Sequence, residues 1–186
     1  GVESSYEVHR FPTAGEEKSA EFAENLISWV DPSVIVSVER CGRAGDGFYY
    51  NMKGEDITEY TGKIDCLFGF HRTIGIGDGG NEIGMGNVYE EVKRAVLEGE
   101  KIASVVKTTH LVVSSVSNWG VYGLLAYLSE IEGKMLLKDE DEIVKKLVRA
   151  GAVDSSSGKC EWKVDGFSLE ETNSIIKKLK NQIESE

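Results

Sequence analysis

The sequence predicts an α/β fold, a mostly parallel sheet flanked by helices with a C-terminal helical extension, and three observations carry that prediction. Short β-branched or apolar runs alternate with stretches of helical spacing through the first two thirds of the chain. The loops that follow those runs, 39–54, 77–87 and 114–120, hold almost all the unusual residues, and ligands of parallel sheets bind beyond the carboxyl ends of strands. The last third is charged and helical in pattern. The expected division is an α/β core over 1–138 and a helical extension over 139–186 packed on the same domain.

Tyr6 to Arg10 is a short strand candidate, and Pro12 to Gly15 a turn. From Glu16 to Val30 the apolar residues recur at helical spacing with glutamates in the first turn, and Asp31-Pro32 stops the helix. Val34 to Val38 is β-branched apart from Ser37, the pattern of a strand covered on both faces. Phe48 to Gly54 reads as a hairpin arm, while Ile64 to Phe70 suits helix or strand equally. Thr73 to Ile76 is a buried strand end, and Val88 to Leu97 has helical spacing. Lys101 to Val106 and Leu111 to Ser114 read as two further strands, and Val121 to Ile131 as a helix. Asp139 to Ala150 is an amphipathic helix, 151–166 a polar connector, and Leu169 to Glu184 a closing helix capped by Ser168.

Composition narrows the function classes. A net charge of −11 argues against nucleic acid or an anionic membrane as partner, because nothing would release phosphate counterions. No apolar run approaches the ~20 residues of a membrane span. Three cysteines without CxxC spacing disfavour zinc and a disulfide framework and suit a reducing compartment, so a cytoplasmic location is expected. The chain starts at Gly1 without an initiator methionine or a signal-peptide pattern, which suggests a processed or truncated piece. GxSxG, HExxH, Walker and dinucleotide motifs are absent.

The densest signal is the loop after Ile76. Gly77, Gly79, Gly80, Gly84 and Gly86 fall within ten positions, with Asp78, Asn81 and Glu82 among them. Such glycine density means sharp bending or close approach, and a strand–loop–helix start can aim backbone N–H groups at an anion. The carboxylates change that reading towards a divalent cation or proton transfer. Asp78-Gly79 as a plain hairpin turn is the bland alternative, and it leaves Gly80, Gly84 and Gly86 unexplained. Glu39, Arg40, Arg43 and Asp46 form a mixed-charge group at a strand exit. Its carboxylates could ligate a cation while Arg43 forks onto a substrate carboxylate or phosphate, or the group could be an ion-pair network. Ser117 and Asn118 could donate to a ligand or cap a helix; Tyr49, Tyr50 and Trp119 could line a pocket or fill core. His110 is a candidate base, and His9 and His71 have no partner visible in the sequence.

Three segments, Glu39 to Met52, Ile74 to Val88, and His110-Leu111 with Ser117 to Gly120, together resemble the D-glutamate cyclase C-terminal domain family. The block Gly-Asp-Gly-Gly-Asn-Glu-Ile-Gly-Met-Gly over 77–86 is long and specific, and Gly151 to Asp154 and Val164 to Gly166 match the family's tail more loosely. Cys41 and Gly45 stand where the family pattern has proline and alanine. The resemblance implies an enzyme interconverting D-glutamate and 5-oxo-D-proline. Asp78 and Glu82 would then be the catalytic acid and base, with Arg43, Gly79, Gly80, Asn81, Ser117 and Asn118 binding a small anionic substrate. A divalent metal, Mg²⁺ or Mn²⁺, would be held by Glu39, Asp46, Asp78 and Glu82. A metal-dependent phosphatase acting on a small phosphate ester uses the same parts and stays open, as does a module that only binds a ligand. Family members usually begin with a further α/β segment that this chain does not show. A second chain supplying it, or a homo-oligomer, is therefore expected.

Overall fold

The computed structural model describes residues 6–69 and 72–184. The chain divides into two compact units, Gly1–Val112 and Val113–Glu186. The expected boundary near 138 falls inside the second.

In the first unit, helix α1 (Glu16–Val30) occupies the range its spacing predicts, burying Ser19 and Ala23. It stops where Asp31 takes a left-handed conformation (φ 45°) and its N–H donates to the Ile27 carbonyl at 2.8 Å. Residues 6–10 form no strand; there His9 packs edge-on to the Trp29 ring. The sheet has the order β1 (Ile35–Val38), β2 (Thr73–Gly77), β3 (His110–Val113), with β1 and β2 parallel and Val38 opposite Ile76. The expected double cover of β1 is not found. β1 is an edge strand, and Val36 and Val38 are 42% and 41% exposed while Ser37 is buried. β2 is the central strand and buries Thr73, Ile76 and Gly77.

Ile64–Gly69 is a 3-10 turn that packs under α1; Phe70 and His71 lie outside the described residues, as do Gly1 to Ser5. After the glycine loop, a 3-10 turn at Met85–Val88 leads into α2 (Tyr89–Ala95), followed by the single turn α3 (Gly99–Ile102). The strand expected over 101–106 is absent. Its backbone bonds to loops instead of a ladder: Ser104 N–H to Gly80 O, Val105 N–H to Arg43 O, and Gly84 and Gly86 N–H to Val106 O, at 2.9–3.1 Å. Asn87 then clamps Thr108 from both sides, accepting its N–H at 3.0 Å and donating to its carbonyl at 2.9 Å. Met85, Val92 and Ala103 make the core below the loop.

The second unit is helical with one small hairpin. α4 runs from Ser117 to Glu132, so Ser117 and Asn118 are its first residues rather than a loop before it, and Gly133 (φ 59°) ends it. α5 (Asp141–Arg149) follows. The connector contains the two-residue strands β4 (Lys163–Val164) and β5 (Phe167–Ser168), joined by Asp165-Gly166 with φ 50° and 83°. Positive φ at both central residues is the signature of a type I′ hairpin turn. α6 (Leu169–Glu184) has the expected cap, built as a capping box. Glu171 accepts from the Ser168 N–H at 2.9 Å and from its hydroxyl at 2.7 Å, and Ser168 Oγ accepts the Glu171 N–H at 3.3 Å. α4 and α6 pack around Tyr122, Ala126, Leu137 and Ile176.

Candidate active site

Parallel pairing of Val38 with Ile76 makes the chain leave β1 and β2 at the same sheet end, and the next residues carry the carboxylates. Glu39 adopts φ 56°, rare for a residue with a side chain, while its N–H still bonds to Ile76 O at 3.0 Å. The chain then folds back on the glycine loop: Gly42 N–H donates to Asn81 O and Ile83 N–H to Arg40 O, both at 2.8 Å, with Cys41 opposite Glu82 as an antiparallel bridge. That return holds the loop of β1 against the loop of β2.

Glu82 is 2% exposed, and its carboxylate is the centre of the loop. Oε1 accepts the N–H groups of Asp78 at 3.0 Å and Gly79 at 2.6 Å; Oε2 accepts that of Gly80 at 2.6 Å. The glycine loop does encircle an anion, as its composition suggests, but the anion is its own glutamate. The N–H groups of Gly79 and Gly80, expected as substrate donors, are bonded to Glu82 here. Gly80 sits at φ 107°, and a Cβ there would meet Val92 Cγ1 at 2.5 Å. Residues 78–81 are bends, Glu82 is the bridge residue and 83–84 a turn, so helical structure begins only at Met85.

Glu39, Asp78 and Glu82 each offer a carboxylate oxygen, and these lie within 4.8 Å of one another. Their burial is graded, from exposed Glu39 through half-buried Asp78 to buried Glu82. Three hard oxygen donors at this spacing suit Mg²⁺, Mn²⁺ or Ca²⁺. A carboxylate has about four lone-pair sites, so Glu82, with three accepted bonds, keeps one for a cation. Asp46 is not in this group. Its Oδ1 accepts from Phe48 N–H at 3.1 Å and its Oδ2 from the Tyr50 hydroxyl at 2.6 Å, which fixes the 44–47 turn. That bond and burial push the Tyr50 phenol up to about 12.

Asn81 is buried and donates to Tyr50 O at 2.7 Å, a structural tie between the two loops. Arg43 is 46% exposed and reaches Glu16 at 3.6 Å, a surface pair worth under about 1 kcal/mol. Tyr49 is core: its hydroxyl donates to Asp65 at 2.5 Å, and burial with that carboxylate raises its pKa well above the usual range. Tyr50 is buried against Ala44 and Ile102. Cys41, which stands where the family pattern has proline, donates to Tyr50 O at 3.3 Å, and burial pushes its thiol up to about 11. Ser117 and Asn118 belong to the second unit, Ser117 fully buried and Asn118 half-buried on the first turn of α4. His110 opens β3 and is exposed.

Residues 2–180 match the family described as D-glutamate cyclase-like, C-terminal. The chain belongs to that family. It is also 44% identical over 100 residues to the human protein named D-glutamate cyclase, mitochondrial, a match covering 50% of this chain. That stretch is 16% of the human protein, so this D-glutamate cyclase-like chain corresponds to a small part of its relative's length. Among the described residues, no helix is long and apolar enough to cross a membrane.

Proposed function

We propose that this chain carries the site of a D-glutamate cyclase-like enzyme that interconverts D-glutamate and 5-oxo-D-proline. The observation that carries the reading is the group Glu39, Asp78 and Glu82 at the shared end of two parallel strands, in a chain that belongs to this family. Cyclisation forms a bond from the α-nitrogen to the carbon of the γ-carboxyl group and breaks one C–O bond of that group, whose oxygen leaves as water. The α-ammonium must lose one proton before attack and a second from the tetrahedral adduct, and the departing oxygen must gain both. Asp78, half-buried at the mouth of the loop, takes the first proton and returns one to the departing oxygen. Glu82 holds the loop, with its oxygens already engaged, so its contribution is to aim Asp78. Glu39 and Asp78, with the remaining lone pair of Glu82, would hold a divalent cation, which supplies Lewis-acid polarisation of the γ-carboxyl group when bound. Arg43 can leave its weak pair with Glu16 and receive the α-carboxylate. The expected second chain or second copy would pack on the exposed edge strand β1.

The phosphatase alternative needs the loop N–H groups for phosphate, and three of them are bonded to Glu82. The test is incubation of the purified protein with each of D-glutamate and 5-oxo-D-proline, with and without Mg²⁺ or Mn²⁺, followed by chiral chromatography. Interconversion is expected, and Asp78→Asn should reduce it by roughly 100-fold or more with an unchanged circular dichroism spectrum. Absence of turnover in both directions, or phosphate release from a small ester, overturns the reading.

A further inference from the structure

The chain that returns from β1 sets a thioether on the glycine loop. Tyr50 and Asp56 pair as an antiparallel bridge, and the residues between them make a tight hairpin tip. Asn51 staples that tip: its Oδ1 accepts the N–H groups of Lys53 at 2.9 Å and Glu55 at 3.1 Å, and its amide donates to Glu55 Oε2 at 2.6 Å. Lys101 Nζ donates to Gly54 O at 2.7 Å and lies 4.8 Å from the centroid of the Tyr50 ring, while Asn81 holds Tyr50 O. The backbone that carries Met52 is therefore fixed on both sides.

A Cβ added to Gly79 would lie 2.5 Å from Met52 Sδ, 2.9 Å from Met52 Cε and 3.1 Å from Glu82 Oε1. Gly79 is not among the residues of positive φ, so it is a glycine for room and not for conformation. Met52 and Glu82 share that room. Met85 meets Gly77 in a similar way, with its Cε 3.0 Å from the Cβ position, beside Glu82 Cβ and Cδ. The two methionines differ in access. Met85 is 2% exposed and belongs to the core, whereas Met52 is 44% exposed. Met52 borders the group Glu39, Asp78 and Glu82 with an apolar surface that a ligand can reach. A thioether on three rotatable bonds fits itself to aliphatic carbon, and small-molecule sites combine such walls with a few placed polar groups.

We propose that Met52 is a specificity-determining residue of this site, the wall against which the two methylene groups of the substrate lie. The inference rests on the reaction proposed above. There the γ-carboxyl group meets the cation that Glu39, Asp78 and Glu82 would hold, so the methylene beside it reaches the side chain that borders Glu82. Ring closure also needs the α-nitrogen folded back to attacking distance, and a wall along the methylenes favours the folded chain over the extended one.

The test uses the full chain with ¹³C-labelled methionine methyls, titrated with D-glutamate and 5-oxo-D-proline in the presence of Mg²⁺. The Met52 methyl resonance, assigned by its loss in Met52→Leu, is expected to shift saturably, and that of Met135 to stay in place. In turnover, Met52→Ala should lower kcat/KM for D-glutamate at least tenfold with an unchanged circular dichroism spectrum. It should also raise the use of 4-methyl-D-glutamate relative to D-glutamate at least tenfold, because the added methyl fills the vacated space. Met52→Leu, close in volume, should recover most of the loss. No shift while the wild type turns over D-glutamate, or a Met52→Ala variant with wild-type kcat/KM and substrate ratio, overturns the wall and leaves the cyclase reading standing. A saturable shift without turnover of either compound overturns the reaction and keeps Met52 as a ligand contact. Neither shift nor turnover overturns both.

Discussion

Glu82→Ala is expected to destabilise the protein by about 3–5 kcal/mol, because it strips the acceptor from three backbone N–H groups at once. A loss of that size lowers the melting temperature by roughly 6–20 °C. Buried N–H groups of Asp78, Gly79 and Gly80 would be left facing the space the carboxylate filled, with water as the only remaining acceptor. Glu82→Gln is expected to lie between the two. Its one carbonyl oxygen can still serve Asp78 and Gly79, but its amide would turn a donor onto the Gly80 N–H. Thermal melts followed by circular dichroism measure the order. If Glu82→Ala melts within 2 °C of the wild type while losing turnover, Glu82 is a proton carrier and its structural role is wrong.

The second large effect is expected at Gly86. A Cβ there would lie 2.5 Å from Val105 O, 2.6 Å from Val105 C and 2.8 Å from Val106 C, all backbone atoms that cannot rotate away. The same turn must keep its Gly86 N–H bond to Val106 O at 3.1 Å. Gly86→Val is therefore expected to cost about 4–5 kcal/mol, at the top of the range for single substitutions. Gly80→Val meets a side chain that can turn, Val92, but must hold a β-branched residue at φ 107°. We expect about 3 kcal/mol there, from backbone strain and overpacking together. Asp78→Asn, with little packing to lose, should cost least. Coincident melts for Gly80→Val and Asp78→Asn would refute the claim of an unusual loop backbone.

Elements whose pattern depends on local chemistry were legible in the sequence. α1 and α6 lie where spacing and caps place them, because glutamates at a start, Asp-Pro at a stop and Ser-x-x-Glu at a cap act within one turn. Long-range choices were not legible. Val34 to Val38 reads the same whether one face or two are covered, and only the sheet order makes β1 an edge. Ser104 to Val106 has the residues of a strand, but its bonding partners are loops at 43, 80, 84 and 86. The carboxylates show the same limit. Glu39 and Asp78 come together, as their places after two strands suggest, yet nothing in the residue order shows that Glu82 turns inward. Asp46 carried a readable signal: an aspartate two residues before a bonded N–H is an Asx turn. Asp165-Gly166, flanked by Val164 and Phe167, was likewise a readable hairpin inside a stretch taken for a connector.

The inward glutamate bears on the thermodynamics of whatever meets this loop. Five glycines in ten residues would ordinarily make a wandering segment, and ordering each backbone position costs about 1–2 kcal/mol. With Asp78, Gly79 and Gly80 tied to Glu82, that entropy is lost during folding, once, and not at each encounter with a ligand. Asp78 therefore meets a ligand from a backbone that is already rigid, and free energy gained at Glu39 and Asp78 is not diverted into freezing glycines. The most flexible residues of the chain form a preorganised platform because one side chain supplies the anion they would otherwise wait for.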